Sequence, residues 1–167
     1  EYINNVVYNW GKRGFVGGHS AENHSPDIVA NYFIAGPNST DNFLSMFTAT
    51  DHVYQRNNYA DLNKDGKLNG RLVTNNDFVK ETATIMKQPS IMAKSSVKIS
   101  TAARAYQVVL QQAGSSLKRD AVDKRLIGYL ESLGKRGQIF KSETEAGGQP
   151  AVAEVHTALK DTDADVM

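Results

Sequence analysis

Lys12 and Arg13 are neighbours in a glycine-rich segment, GKRGFVGGHS, that also contains His19. Glycine-rich stretches of this kind favour loops. Adjacent cationic side chains can hold carboxylate groups, and arginine does so through two parallel hydrogen bonds. The pair therefore indicates contact with an anionic ligand, and a solvated loop without a ligand is the alternative.

A second group of polar residues occupies positions 1, 3 and 5 of a calcium-loop pattern: Asp61, Asn63 and Asp65. Gly66 follows at position 6, but position 12 is Leu72, where an EF-hand requires a bidentate glutamate. Closely spaced Asp and Asn side chains also form Asx turns. The segment therefore predicts either a weak calcium site or a polar turn between strands.

Three more aspartates alternate with other residues near the end of the sequence: Asp161, Asp163 and Asp165. Carboxylates are the hard oxygen ligands that calcium prefers. The pattern is also similar to acidic linkers that follow the catalytic domains of secreted bacterial enzymes. It predicts calcium ligands, with a disordered acidic end as the alternative.

The spacing of the histidines and the amino-acid composition disfavour or exclude several kinds of functional site. His19 and His24 lack the helical H-E-x-x-H arrangement, which disfavours a zinc site. The sequence has no cysteine, so thiol nucleophiles, disulfides and cysteine-ligated zinc are excluded. A net charge of +1 gives no sign of nucleic-acid binding. No apolar run approaches the roughly 18 residues of a membrane span, and no signal-peptide pattern is present.

A repeat is visible in the elements that must position these residues. Three segments place an asparagine before an apolar or aromatic pair: Asn5, Asn31 and Asn58, at intervals of 26 and 27 residues. β-branched and aromatic residues flank each asparagine, and turn-forming residues separate the segments. Such a repeat predicts a solenoid whose coils bury a shared core by stacking, with the asparagines hydrogen-bonded along the stack. Three ordinary strands of an antiparallel sheet are the alternative.

The period becomes helical from about residue 100. Apolar residues recur three and four positions apart, which predicts helices over about 101–113 and 120–133. Each helix has a capping candidate and a terminating glycine: Ser100 or Thr101 with Gly114, and Asp120 with Gly134. We expect both helices to cover the solenoid. Neither carries a strongly basic face, so binding to a membrane surface is the weaker alternative.

Together these segments resemble a known family. YINNVVYNWG, followed by a Gly-Gly loop and DIVANYFIAGP, is similar to the later coils of the pectate lyases of polysaccharide lyase family 1. AARAYQVVLQQAGSSLKRDAVDKRLIGYLESLGKRG, followed by GGQP, is similar to the C-terminal block of the bacterial and fungal members. The departures are Ser115 and Ser116 in place of Ala-Ser, and Gln149 in place of a tryptophan.

The resemblance implies a right-handed parallel β-helix that cleaves de-esterified polygalacturonate by β-elimination. In the family, calcium held by aspartates contacts the substrate carboxylate, and an arginine near an R-x-P-x-x-R signature removes the C5 proton. No proline of this sequence lies in such a signature, so no catalytic residue is assigned to the chain. Because polygalacturonate is an anionic polymer, we predict that Lys12, Arg13 and His19 bind the substrate. Calcium is the implied cofactor, with its principal ligands expected upstream of Glu1.

We therefore predict a mainly β chain: the final coils of a right-handed parallel β-helix over 1–99, a helical segment over 100–150, and an extended acidic tail or linker over 151–167. Because strand-like sequence begins at Tyr2, we expect earlier coils to precede Glu1. The predicted function is the C-terminal portion of a secreted pectate lyase, extracellular or periplasmic. It would be monomeric at full length and inactive as this fragment alone. The alternative is a non-catalytic carbohydrate-binding or structural β-solenoid module.

Overall fold

A computed structural model describes residues 1–18, 20–90 and 96–149 of the chain. The described residues form ten short strands: β1 Tyr2–Ile3, β2 Val6–Tyr8, β3 Phe15–Val16, β4 Asp27–Val29, β5 Tyr32–Ile34, β6 Leu44–Ser45, β7 His52–Arg56, β8 Tyr59–Asp61, β9 Arg71–Leu72 and β10 Thr84–Ile85. They also form three helices: α1 Asn75–Val79, α2 Ala102–Gln112 and α3 Ala121–Glu131. None of these helices is long and apolar enough to cross a membrane.

The strands assemble into parallel sheets in which neighbours come from successive repeats. Two sheets have four strands each, in the orders β1-β4-β7-β10 and β2-β5-β8-β9, and the third pairs β3 with β6. Tyr32 is paired in register with Val6 on one side and with Tyr59 on the other. All the strand pairs among the described residues are parallel except β8 with β9. The fold is therefore mainly β with parallel sheets, and the antiparallel alternative for the repeats is wrong.

The three predicted asparagines form a hydrogen-bonded row where the first sheet turns into the second. Asn5 donates from its backbone N, at 2.8 Å, and from Nδ2, at 3.1 Å, to Oδ1 of Asn31. Asn31 repeats both bonds to Oδ1 of Asn58, at 3.0 and 2.9 Å. Asn31 and Asn58 are fully buried. The row keeps successive repeats in register, as the sequence predicted.

The core lies between the sheets and is filled mainly by aliphatic and aromatic side chains. Ile28, Phe33 and Val53 are fully buried there. Phe78 of α1 is also fully buried and meets Phe47 edge-on, with the ring centroids 5.3 Å apart. α1 thus contributes to the same core as the strands.

The two longer helices lie where the apolar periodicity predicted them. The Thr101 hydroxyl accepts from the backbone N of Arg104 at the start of α2, and the Asp120 carboxylate does the same from Asp123 at the start of α3. A second core joins both helices to the sheet of β2, β5, β8 and β9, and its buried members are Tyr32, Ile34, Ala102, Tyr106 and Leu130. The helices therefore cover the outer face of that sheet.

Candidate functional site

The predicted basic pair lies in the turn between β2 and β3, which the next repeat holds in place. Thr40 donates from its backbone N to the Gly11 carbonyl at 3.2 Å and from Oγ1 to the Lys12 carbonyl at 2.8 Å. Gly14 donates its backbone N to the Asn42 carbonyl at 2.9 Å. These bonds fix the backbone that carries Lys12 and Arg13, so both side chains project from an ordered turn.

Both basic side chains are exposed and available to an anionic ligand. Neither Lys12 nor Arg13 forms an ion pair with another described residue. Trp10 beside them is buried, and its indole N–H donates to the Thr40 carbonyl at 2.9 Å. The indole therefore belongs to the core, and the cationic pair supplies the binding chemistry of this turn.

His19 lies outside the described residues, but its neighbour His24 belongs to an arrangement that the sequence did not reveal. The Asp51 carboxylate is fully buried and accepts from the backbone N of Gly18 at 2.9 Å and of Thr48 at 2.8 Å. Nδ1 of His24 lies 3.5 Å from the same carboxylate. Asp51 therefore ties the end of β3 to the start of β7, and the His24 ring lies beside it without a hydrogen bond from Nδ1.

The proposed calcium residues form a hydrogen-bonded turn after β8. Asn63 Oδ1 accepts from the backbone N of Asp65 at 3.0 Å, and Asp65 Oδ1 accepts from that of Lys67 at 2.8 Å. The second Asp65 oxygen accepts from Asn69 Nδ2 at 2.9 Å, and Asp61 accepts from the Asn69 backbone N at 3.0 Å. The bonds from Asp65 to Asn63 and from Lys67 to Asp65 are those of Asx turns. Calcium binding by Asp61, Asn63 and Asp65 stays a prediction.

The two carboxylates of this turn have opposite pKa shifts. Burial raises the pKa of Asp61, because a low-dielectric environment disfavours its charged form. The Asn69 side-chain amide lowers the pKa of Asp65 by donating to its carboxylate. Asp65 therefore keeps its negative charge more readily than an ordinary aspartate, and Asp61 keeps it less readily.

The described residues do not contain a cluster of three or more His, Asp or Glu side chains that could hold a metal ion. Asp161, Asp163 and Asp165, the other predicted calcium ligands, lie outside the described residues.

Comparison with known proteins finds several relatives that carry the same name. The chain is 36% identical over 170 residues to a protein named probable pectate lyase C from Aspergillus fumigatus. It is 36% identical over 174 residues to the protein of that name from Neosartorya fischeri, and 34% identical over 167 residues to that from Aspergillus flavus. Each alignment covers 99% of this chain. The resemblance to pectate lyases that the sequence predicted is confirmed.

The chain spans 39% of the length of each of these relatives. No protein-family model matches it. No solved structure gives a significant match. The similarity therefore concerns one part of the relatives, and it extends through nearly all of this chain.

Proposed function

We propose that this chain is the C-terminal part of a secreted pectate lyase that cleaves polygalacturonate by calcium-dependent β-elimination. The observation that carries the proposal is the similarity to proteins of that name along 99% of the chain. Location outside the cell or in the periplasm, and a monomeric state of the whole protein, belong to the same proposal. The boundaries 1–99, 100–150 and 151–167 are its proposed units.

The proposed architecture is the last coils of a right-handed parallel β-helix. Its support is the in-register pairing of successive repeats, with asparagines hydrogen-bonded to one another at the equivalent turns. Connections between parallel strands of one sheet are right-handed in about 98% of cases. A solenoid offers an extended lateral surface to a polymeric ligand, since every coil presents the same face.

Within this chain, the turn of Lys12 and Arg13 is the part proposed to hold the substrate. Polygalacturonate carries one carboxylate on each sugar ring when it is not esterified. An arginine can bind such a carboxylate through two hydrogen bonds, and a lysine can act as a neighbouring point charge. His19 is proposed to assist from the same segment. The ordered backbone of the turn limits the entropy lost on binding.

The elimination itself would remove the C5 proton and expel the C4 oxygen, which leaves a C4–C5 double bond in the product. The sequence contains no R-x-P-x-x-R signature, and the described residues hold no cluster of three or more His, Asp or Glu side chains. We therefore assign no catalytic step to them. Their proposed roles are substrate binding and support of the fold, and the principal calcium ligands are proposed to lie elsewhere in the whole protein.

The test is an assay of the whole protein with de-esterified polygalacturonate, in which the unsaturated product is followed by its ultraviolet absorbance. We expect activity to fall roughly tenfold on combined Lys12→Ala and Arg13→Ala substitution, as expected for two exposed charge-assisted contacts. Lys80→Ala is the matched control, because Lys80 is an exposed cation on another turn. The isolated 167-residue chain should form no product.

Two results would contradict the proposal. Whole protein that binds polygalacturonate without forming unsaturated product would favour a non-catalytic carbohydrate-binding module. Product formed by the 167-residue chain alone would place catalytic residues within it.

A further inference from the structure

A groove lies between the turn that follows β7 and the segment that leads into α2. Its cavity volume is about 550 Å³, and it is lined by Arg56, Asn57, Tyr59, Ile99, Ser100, Thr101 and Ala102. A smaller cavity of about 250 Å³ shares Tyr59, Thr101 and Ala102 with it and extends to Tyr32. Arg56 and Asn57 line the larger cavity, and Tyr32 lines the smaller one, so the groove offers both polar and aromatic groups.

Hydrogen bonds fix the wall of this groove. Ser100 donates its backbone N to Asn4 Oδ1 at 2.8 Å, and Asn4 Nδ2 donates back to the Ser100 carbonyl at 3.0 Å. Asn4 also donates from Nδ2 to the Ala30 carbonyl at 3.1 Å. The segment before α2 is thereby attached to the first two repeats, and these bonds hold one wall of the groove in place.

Arg56 is the one charged side chain among the described residues that line the groove. It is exposed and forms no ion pair with another described residue. The register places it beside Val29, which in turn pairs with Ile3, so the equivalent positions of the earlier repeats are apolar. Core packing does not require a guanidinium at this position, and its free charge favours an anionic ligand.

Tyr59 supplies an aromatic surface next to this charge. Its ring lies 5.7 Å from that of Tyr32, tilted by 30°, and 36% of the residue remains exposed. The Tyr32 hydroxyl accepts from the backbone N of Gly70 at 3.0 Å, which holds the supporting ring in place. A partly exposed tyrosine can contact the apolar face of a sugar ring while its hydroxyl stays in water.

We propose that this groove binds a short acidic oligosaccharide, with a uronate carboxylate on Arg56 and a sugar ring against Tyr59. The choice of a uronate-containing ligand rests on the proposed function, whereas the groove itself is separate from the turn of Lys12 and Arg13. Asn57 and Thr101 would donate and accept hydrogen bonds to sugar hydroxyls. The groove is then a second contact for the same polymer, and two contacts on one chain raise the apparent affinity for long substrates.

The experiment uses trigalacturonate and its methyl ester as probes, with binding followed by chemical-shift changes in the backbone spectrum of the whole protein. We expect trigalacturonate to shift the amides of residues 56–59 and 100–102. Arg56→Ala should weaken trigalacturonate binding at these amides roughly five- to tenfold and leave binding of the uncharged ester unchanged. Tyr59→Ala should weaken both probes, and Tyr59→Phe should restore most of the binding.

Lys80→Ala, which removes one exposed cation elsewhere, should change neither affinity. An unaltered amide spectrum outside the groove will show that the variants remain folded. Shifts confined to residues 11–14, or equal affinity of Arg56→Ala and the parent chain for trigalacturonate, would overturn this inference while leaving the proposed function intact. Failure of the proposed function is read separately, as loss of unsaturated product in the assay of the whole protein.

Discussion

The side-chain amide of Asn31 donates a 2.9 Å hydrogen bond to Oδ1 of Asn58, and both residues are fully buried. Nδ2 of Asn31 also donates to the Tyr2 carbonyl at 2.7 Å. One side chain thus satisfies polar groups of the repeats on both sides of it. Buried amides of this kind stabilise only while all their partners are satisfied.

Asn31→Ala should therefore lower the free energy of unfolding by roughly 2–4 kcal/mol, because it leaves several buried polar groups without partners. Urea denaturation followed by circular dichroism measures the change. Asn23→Ala is the control, since Asn23 is exposed and should contribute less than about 0.5 kcal/mol. Equal midpoints for the two variants would mean that the row of asparagines contributes little to stability.

The ion pair between Arg71 and Asp77, at the start of α1, should stabilise the fold at neutral pH and lose this effect in acid. Two guanidinium nitrogens of Arg71 donate to the two Asp77 oxygens, at 2.9 and 2.6 Å, and this lowers the pKa of Asp77. Because the pKa of Asp77 is lower in the folded state than in the unfolded state, its ionised form stabilises the fold. This contribution is complete at pH values above the ordinary aspartate pKa of about 3.9, and it is lost as pH falls through the folded-state pKa. Arg71→Gln should cost less than about 1 kcal/mol at pH 7, because the pair is partly exposed.

The same variant and the parent chain should become equally stable at pH values below the folded-state pKa of Asp77. Thermal melts at a series of pH values provide the comparison. Arg71 Cζ also lies 5.7 Å from the centroid of the Phe43 ring. If the loss of stability in Arg71→Gln stayed constant down to acidic pH, it would come from this packing and not from the ion pair.

Gly134, which follows α3, lies where the structure leaves no space for a side chain. It has a φ of +95°, and a Cβ at this position would lie 2.6 Å from Lys64 Cα and 2.9 Å from the Ala35 carbonyl oxygen. Gly134→Ala should therefore lower the free energy of unfolding by roughly 2–4 kcal/mol. Gly147 is a matched control, with a φ of +103° and no atom within 4 Å of the added Cβ. Its alanine variant should cost about 1 kcal/mol, from backbone strain alone.

Urea denaturation of both glycine variants separates the two contributions. The difference between them measures the close approach of the segment after α3 to the loop that carries Lys64. Equal costs would mean that the segment shifts to accept a methyl group.

The side chain of Arg119 should stabilise the last turn of α2. Nη2 of Arg119 donates to the Leu110 carbonyl at 2.6 Å and to the Ala113 carbonyl at 3.3 Å. A cation at this position satisfies free carbonyls and interacts favourably with the helix dipole. Arg119→Ala should accelerate amide hydrogen exchange in the last turn of α2 and cost about 1–2 kcal/mol. Lys118→Ala, at an exposed neighbour, should leave the exchange rates unchanged.

Local signals in the sequence were sufficient for α2, α3 and the row of asparagines. Thr101 and Asp120 cap the helices through contacts within a few residues, and a repeated asparagine is visible without knowledge of its partners. These features follow from short-range chemistry. The sequence therefore predicted them with nearly correct bounds.

Other features depend on contacts between distant residues. β3 and β6 are two residues long and lie in glycine-rich or polar segments, so their strand geometry comes from pairing with each other. The approach of His24 to Asp51 depends on the stacking of repeats, and no local pattern announces it. α1 spans five residues, which is too short to show a helical period.

The antiparallel strand β9 and the helix α1 have a consequence for the evolution of chain length. β9 lies against β8 in the direction opposite to the repeats, and α1, which follows it in the chain, places Phe78 in the core. A duplicated repeat inserted next to β8 would have to displace both elements, whereas one added beside β1 would meet a strand of matching direction. Gains and losses of whole repeats among relatives should therefore be concentrated on the β1 side, while the β9 side keeps a constant number of repeats.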